Sequence, residues 1–181
     1  MKYLPILLLL LVPVAQSQVT EQFTTEFYDV SPNSVDDIYD EVTQKHPDRE
    51  SVEFGLAGLT KTNIKWEANY LFNKRICKMK DVNIQANITY IIPKLEDDYN
   101  KSYAVIRKFK KHQKKIITHE NIHGSYARES ALELETLILA IPNQDNCELL
   151  NKQIEKIAQE STERLRLRNK QLDLHDGKLK M

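Results

Sequence analysis

Two histidines and a glutamate stand close together in the segment His119-Glu120-Asn121-Ile122-His123, which has the pattern H-E-x-x-H. If this segment is helical, the four-residue spacing places both imidazoles on one helix face, about one turn apart. Two such imidazoles can bind one tetrahedral zinc ion, and the glutamate can take a proton from a water that the zinc activates. The pattern therefore predicts His119 and His123 as zinc ligands and Glu120 as a general base.

A hydrolytic zinc site has three protein ligands as a rule, so one more ligand is expected. No good ligand follows the second histidine on the same helix face, and the third ligand should therefore come from later in the chain. One candidate is His175, which has Asp173 and Asp176 nearby as potential hydrogen-bond partners. The alternative is a later helix that runs back antiparallel, because helix geometry then places Glu160 or Glu163 level with the metal.

A long helix must hold the histidine pair. From about residue 96 to residue 141 the chain contains Gly124 but no proline, and apolar residues recur at helical spacing. The histidine pair lies on this apolar stripe. A second helix is expected after Pro142, and the short connection predicts that it runs antiparallel to the first.

The outer face of the long helix is basic. We call this surface the basic face, and it comprises Arg107, Lys108, Lys111, Lys114 and Lys115. A solvated helix face is the simpler interpretation of such a charge run. The alternative is a binding site for a partner with an acidic surface.

Alternating apolar and polar residues predict the β-strands. The alternation runs from residue 82 to residue 92, and a second alternating segment spans residues 64–72. Residues 26–30 have strand character, and residues 18–25 before them are expected to be loose. The predicted fold class is α+β, in which a small antiparallel sheet packs on the H-E-x-x-H helix and an antiparallel C-terminal helix. This arrangement would be zincin-like.

The N-terminus has the features of a signal peptide. A positively charged start is followed by an apolar run from Leu4 to Val14, which is too short to span a bilayer. The next residues, Ala15-Gln16-Ser17, have the small-x-small pattern of a signal-peptide cleavage site. We therefore expect residues 1–17 to be a signal peptide and residues 18–181 to form one domain. The mature protein is expected in the periplasm or outside the cell, without a membrane-spanning segment.

Composition and cysteine content narrow the possibilities further. The chain has 181 residues and a formal net charge of zero, which argues against bulk nucleic-acid binding. In an exported protein a disulfide is the default state of two cysteines, so Cys77 and Cys147 are expected to pair. Two buried free thiols are the alternative.

Several short segments, taken in their order along the chain, carry a family resemblance. They are Phe27-Tyr28-Asp29-Val30, the segment from Thr60 to Trp66, Cys77, the alternating strand ending in Pro93, the H-E-x-x-H sequence with Ala127, and Cys147. Their order resembles that of a bacterial domain-of-unknown-function family whose members are described as secreted zinc-dependent proteases. The resemblance implies the zinc-binding histidines, the catalytic glutamate and a bridge between Cys77 and Cys147. Members tend to carry a histidine near the C-terminus, which favours His175 as the third ligand.

The sequence thus predicts an exported zinc-dependent peptidase, a hydrolase with Zn²⁺ as its cofactor and Glu120 as its general base. Its partner would be a peptide or protein substrate. The choice of a peptide bond rests on motif analogy alone. The alternative is a non-catalytic exported binding module, with a structural zinc or none, that binds a partner through the basic face.

Overall fold

The computed structural model describes residues 16–48, 57–96 and 100–176. Residues 1–15, which form most of the expected signal peptide, lie outside the described residues. The elements in chain order are β1 (Gln16–Val30), α1 (Asp37–Lys45), β2 (Leu59–Asn73), β3 (Ile76–Leu95), α2 (Tyr103–Leu139) and α3 (Cys147–Asp176). Within the described part, the protein is an α+β fold with one three-stranded sheet, in agreement with the predicted fold class.

The sheet is mixed, so the predicted antiparallel sheet is wrong for one of its strands. β3 lies in the centre, with β2 antiparallel to it on one side. β1 pairs with β3 in parallel, from Gln16 opposite Asp81 to Val30 opposite Leu95. A parallel pair needs a crossover connection, which α1 and β2 supply here. Alternation in a sequence shows which side chains share a face, but it contains no information about the direction of the neighbouring strand.

The strands are longer than predicted. Residues 18–25, which we expected to be loose, belong to β1 and pair with β3 along their whole length. The strands predicted over residues 64–72 and 82–92 are confirmed as parts of β2 and β3. β3 continues past Pro93, because its pairing with β2 extends only to Ile91 and the missing N–H of the proline removes no bond on that side.

The helices pack on one face of this sheet. Alternate residues of β3 are buried, as the pattern predicted. Together with the inner faces of α2 and α3 they form the core, whose buried members include Val82, Ile84, Ala86, Ala131, Leu134, Ile138, Leu150 and Ile154. Burial of each large aliphatic side chain contributes about 1.5–3 kcal/mol, which holds α2 firmly on the sheet. No helix in the described part of the chain has an apolar stretch that could cross a membrane.

A disulfide joins the first turn of α3 to the beginning of β3. Cys77 and Cys147 are bonded with a Cα–Cα distance of 5.1 Å, which confirms the predicted bridge. The backbone of Gln144 exchanges hydrogen bonds of 2.7 and 2.9 Å with the backbone of Cys77. Because the cysteines are 70 residues apart, chain entropy predicts a contribution of about 4 kcal/mol to stability. The start of α3 is therefore anchored at one end of the sheet.

Candidate metal centre

The two histidines of the H-E-x-x-H sequence lie in the middle of α2, as the sequence predicted. Their rings are 4.8 Å apart between centroids and nearly perpendicular, at 78°. Nε2 of His123 lies 3.0 Å from Nε2 of His119, so both nitrogens point to one location. The side chains are largely buried between α2 and α3, with 12% of His119 and 8% of His123 exposed.

Asp173 on α3 completes the group. Its Oδ1 atom lies 3.1 Å from Nε2 of His119 and 2.8 Å from Nε2 of His123. Among the described residues, these three side chains form a group that could hold a metal ion. Ligand atoms on one tetrahedral zinc are separated by about 3.3 Å, so small side-chain movements would suffice to accommodate the ion.

His175, the predicted third ligand, lies outside this group. It follows Asp173 by two residues on α3, and its side chain is exposed. Two residues correspond to a rotation of about 200° around a helix, so a residue at that position faces away when Asp173 faces the histidines.

The alternative ligands Glu160 and Glu163 are exposed and lie earlier on α3. Helix arithmetic placed them level with the metal on the assumption that the chain turns back directly at the end of α2. Instead, Glu133 and Glu129 of α2 pair with Arg164 and Arg168 of α3, so the first turns of α3 lie beyond the end of α2. A residue about ten positions later is therefore level with the histidines.

Asn169 binds the other side of one histidine ring. Its Oδ1 atom lies 2.9 Å from Nδ1 of His123. Because an amide oxygen can only accept, Nδ1 is the donor in this bond, and Nε2 of the neutral ring then carries the lone pair that a metal needs. The sequence analysis missed Asn169 and considered Asp173 only as a partner for His175. The available signal was their four-residue spacing, which matches that of the two histidines.

Glu120 is held by the beginning of β2. It is 3% exposed, and its Oε2 atom accepts a hydrogen bond of 2.7 Å from Oγ1 of Thr60. Gly58 provides the space for this carboxylate, because a Cβ atom at Gly58 would lie 2.6 Å from both Oε1 of Glu120 and Cγ2 of Ile116. Thr60 of β2 and the preceding Gly58 therefore fix the carboxylate of Glu120, whose backbone belongs to α2.

The electrostatics of the site follow from burial and mutual proximity. Burial raises the pKa of Glu120, against the opposing effects of the Thr60 hydrogen bond and the two histidines. Burial also raises the pKa of Asp173, but hydrogen bonds from Nε2 of both histidines, which form in the metal-free protein when these nitrogens carry a proton, outweigh burial and bring the pKa of Asp173 to about 2. The pKa of Tyr90 is raised by burial and by the charge of Glu120. A carboxylate with a raised pKa is suited to accepting a proton near neutral pH.

The fold and site together define an α+β protein with a candidate His-His-Asp metal centre between two antiparallel helices. The chain belongs to DUF922, a family of bacterial proteins of unknown function. The family model matches residues 25–178 of the chain. This match confirms the predicted membership in a bacterial family of unknown function, and it includes every residue of the candidate centre. No curated protein matches the chain, and neither does any solved structure.

Proposed function

We propose that this protein is an exported zinc-dependent peptidase, with His119, His123 and Asp173 as zinc ligands and Glu120 as the general base. The observation that carries the proposal is the convergence of three metal-binding atoms within 3.1 Å of one another. With Nδ1 of His123 donating to Asn169, the lone pair of its Nε2 atom faces a carboxylate oxygen. Lone pairs that converge in this way repel each other unless a cation or proton lies between them.

The ligand set supports a hydrolytic role. Two nitrogens and one oxygen would hold a zinc ion with three protein ligands, the number that hydrolytic zinc sites have. A zinc ion held here would lower the pKa of its water and polarise the scissile carbonyl. Glu120 would take the proton from the attacking water and deliver it to the leaving amine nitrogen. Thr60 would keep the carboxylate oriented, and Asn169 would keep the ring of His123 in its metal-binding tautomer.

The disulfide supports the exported location. Stable disulfides form in oxidising compartments such as the bacterial periplasm. Cys77 is bonded to Cys147, and its backbone also exchanges two hydrogen bonds with the backbone of Gln144. Residues 1–17 would act as the signal peptide. The substrate would then be a peptide or protein that occurs in the same compartment.

The proposal is tested by separating metal binding from chemistry. The Glu120→Gln variant should keep its zinc but lose at least about 10²-fold in cleavage of a peptide library, because the general base is gone. The His119→Ala variant should lose both zinc and cleavage. Glu129→Gln is the matched control, since this exposed glutamate of α2 is paired with Arg168 and is not a member of the candidate metal group. Equal cleavage by Glu120→Gln and wild type would refute the mechanism. If zinc-loaded wild type cleaves no peptide, the binding-module alternative replaces it.

A further inference from the structure

The basic face of α2 ends at Lys115, one helix turn before His119 of the candidate centre. Its five members, defined above as Arg107, Lys108, Lys111, Lys114 and Lys115, are all exposed. None of them forms an ion pair within the described part of the chain. The sequence contains no aspartate or glutamate from residue 100 to residue 119. Since the whole chain has a net charge of zero, this positive surface is a local feature and not a consequence of overall composition.

Helix geometry connects the basic face to the metal ligands. Lys115 precedes His119 by four residues and therefore lies one turn away on the same flank. Lys108 lies further along this flank, so the two lysines are about 6 and 17 Å from His119 along the helix axis. Their charges act together on His112 between them: burial lowers the pKa of His112, and the charges of Lys115 and Lys108 lower it further.

The surface of α3 beside the candidate centre also carries a lysine. A depression of about 410 Å³ has Arg166, Asn169, Lys170, Asp173 and Leu174 in its lining. It includes both α3 residues that contact the histidines. The guanidinium of Arg166 is already bonded to Glu163, so the exposed Lys170 is the cation that remains available to a ligand there.

We propose that the substrate is a polypeptide rich in acidic residues, which docks along the basic face while its scissile bond lies at the candidate centre. This inference rests on the proposed function and adds the substrate class. An extended peptide rises about 3.3 Å per residue, so the span from Lys115 to Lys108 corresponds to residues roughly two to five positions from the scissile bond. Clustered like charges beside a partly buried site focus the field and attract ligands of opposite charge.

Peptide binding without turnover tests this inference. The zinc-loaded Glu120→Gln variant is titrated with fluorescein-labelled peptides that are glutamate-rich, uncharged or lysine-rich, and binding is measured by fluorescence anisotropy. The glutamate-rich peptide should bind at least about tenfold more tightly than the uncharged one, and salt should weaken its binding. Adding Lys111→Glu and Lys115→Glu to the Glu120→Gln variant should weaken binding of the glutamate-rich peptide about tenfold. The matched control adds Lys78→Glu and Lys156→Glu, two exposed lysines outside the basic face, and should change little.

Equal affinity for the three peptides would overturn the inference, and so would equal effects of the two double charge reversals. Binding of phosphatidylglycerol vesicles through Lys111 and Lys115 without binding of the glutamate-rich peptide would also overturn it, because it would assign the basic face to a membrane surface. The proposed function fails separately. If Glu120→Gln binds the acidic peptide but wild type cleaves none, acidic docking stands and the peptidase does not. Equal cleavage of acidic and uncharged peptides refutes acidic docking and leaves the peptidase.

Discussion

Thr60 on β2 donates a hydrogen bond of 2.7 Å from its Oγ1 atom to Oε2 of Glu120 on α2. The same hydroxyl lies 3.3 Å from the backbone carbonyl oxygen of Glu120. Thr60 is opposite Tyr90 of β3 in the strand register, so its position is determined by the sheet. The sheet therefore does more than support α2, because it also orients the carboxylate of the H-E-x-x-H sequence.

Removing this hydroxyl should impair catalysis more than substrate binding. Thr60→Val keeps the shape of the side chain but leaves Oε2 of Glu120 without its donor. A hydrogen bond to a charged group contributes about 1.5–3 kcal/mol, so kcat should fall about 10- to 100-fold with little change in KM. Thr60→Ser keeps the donor and should restore most of the rate. Steady-state kinetics on a cleaved peptide decide this, and a Thr60→Val enzyme with wild-type kcat would exclude the orienting role.

Gly124 should not tolerate alanine, although alanine normally stabilises a helix interior by about 1 kcal/mol relative to glycine. A Cβ atom at Gly124 would overlap the hydroxyl of Tyr90 and lie 2.8 Å from its Cζ atom. The ring of Tyr90 is stacked on Phe23, so either this ring or α2 must shift to admit the methyl group. Gly124→Ala should therefore destabilise the protein by about 1–3 kcal/mol in urea unfolding.

The double variant Gly124→Ala with Tyr90→Phe tests the cause of that loss. Tyr90→Phe removes the closest oxygen. Adding Gly124→Ala to Tyr90→Phe should therefore cost less stability than adding it to the wild-type protein. Stabilisation by Gly124→Ala would show that α2 lies further from β3 than the structure indicates.

Metal-free protein should lose stability above neutral pH. Burial lowers the pKa of His123, but the hydrogen bonds that its ring donates to Asp173 and Asn169 outweigh burial, and the net pKa lies above the ordinary 6.5. A raised pKa in the folded state gives stability that is complete below 6.5 and is lost as pH rises through the folded value. For Asp173, whose pKa is lowered from 3.8 to about 2, stability is present above 3.8 and is lost as pH falls towards 2.

Urea unfolding of chelator-treated protein measures this effect. Wild type should be less stable at about pH 8 than at about pH 5.5, and the difference should shrink in Asp173→Asn, because that variant has no carboxylate to stabilise the imidazolium. An identical pH dependence in both proteins would mean that the His123–Asp173 pair makes no contribution to metal-free stability.

The features predicted correctly were those encoded in short segments. The spacing of His119 and His123 requires only a helix, and the alternation in β3 requires only a sheet with one buried face. The pairing of Cys77 with Cys147 followed from there being two cysteines in an exported chain. Each of these predictions depends on residues or counts that the sequence shows directly.

The features that were missed depend on how distant segments meet. The parallel direction of β1 is set by the crossover through α1 and β2, which alternation does not reveal. The contact of Asp173 with the two histidines depends on how far α3 is displaced along α2, and this displacement leaves no pattern in the sequence. Two residues along α3 separate Asp173, which contacts both histidines, from His175, which faces a different direction on the helix.

The most direct test of the central claim is the zinc content of purified mature protein, measured by inductively coupled plasma mass spectrometry for wild type, Asp173→Ala and His175→Ala. The two variants each remove one potential ligand from the same end of α3, so they are matched controls for each other. The account predicts about one zinc per chain in wild type and in His175→Ala, and loss of most of it in Asp173→Ala. A wild-type protein without zinc, or one that loses zinc in His175→Ala but keeps it in Asp173→Ala, would contradict the account.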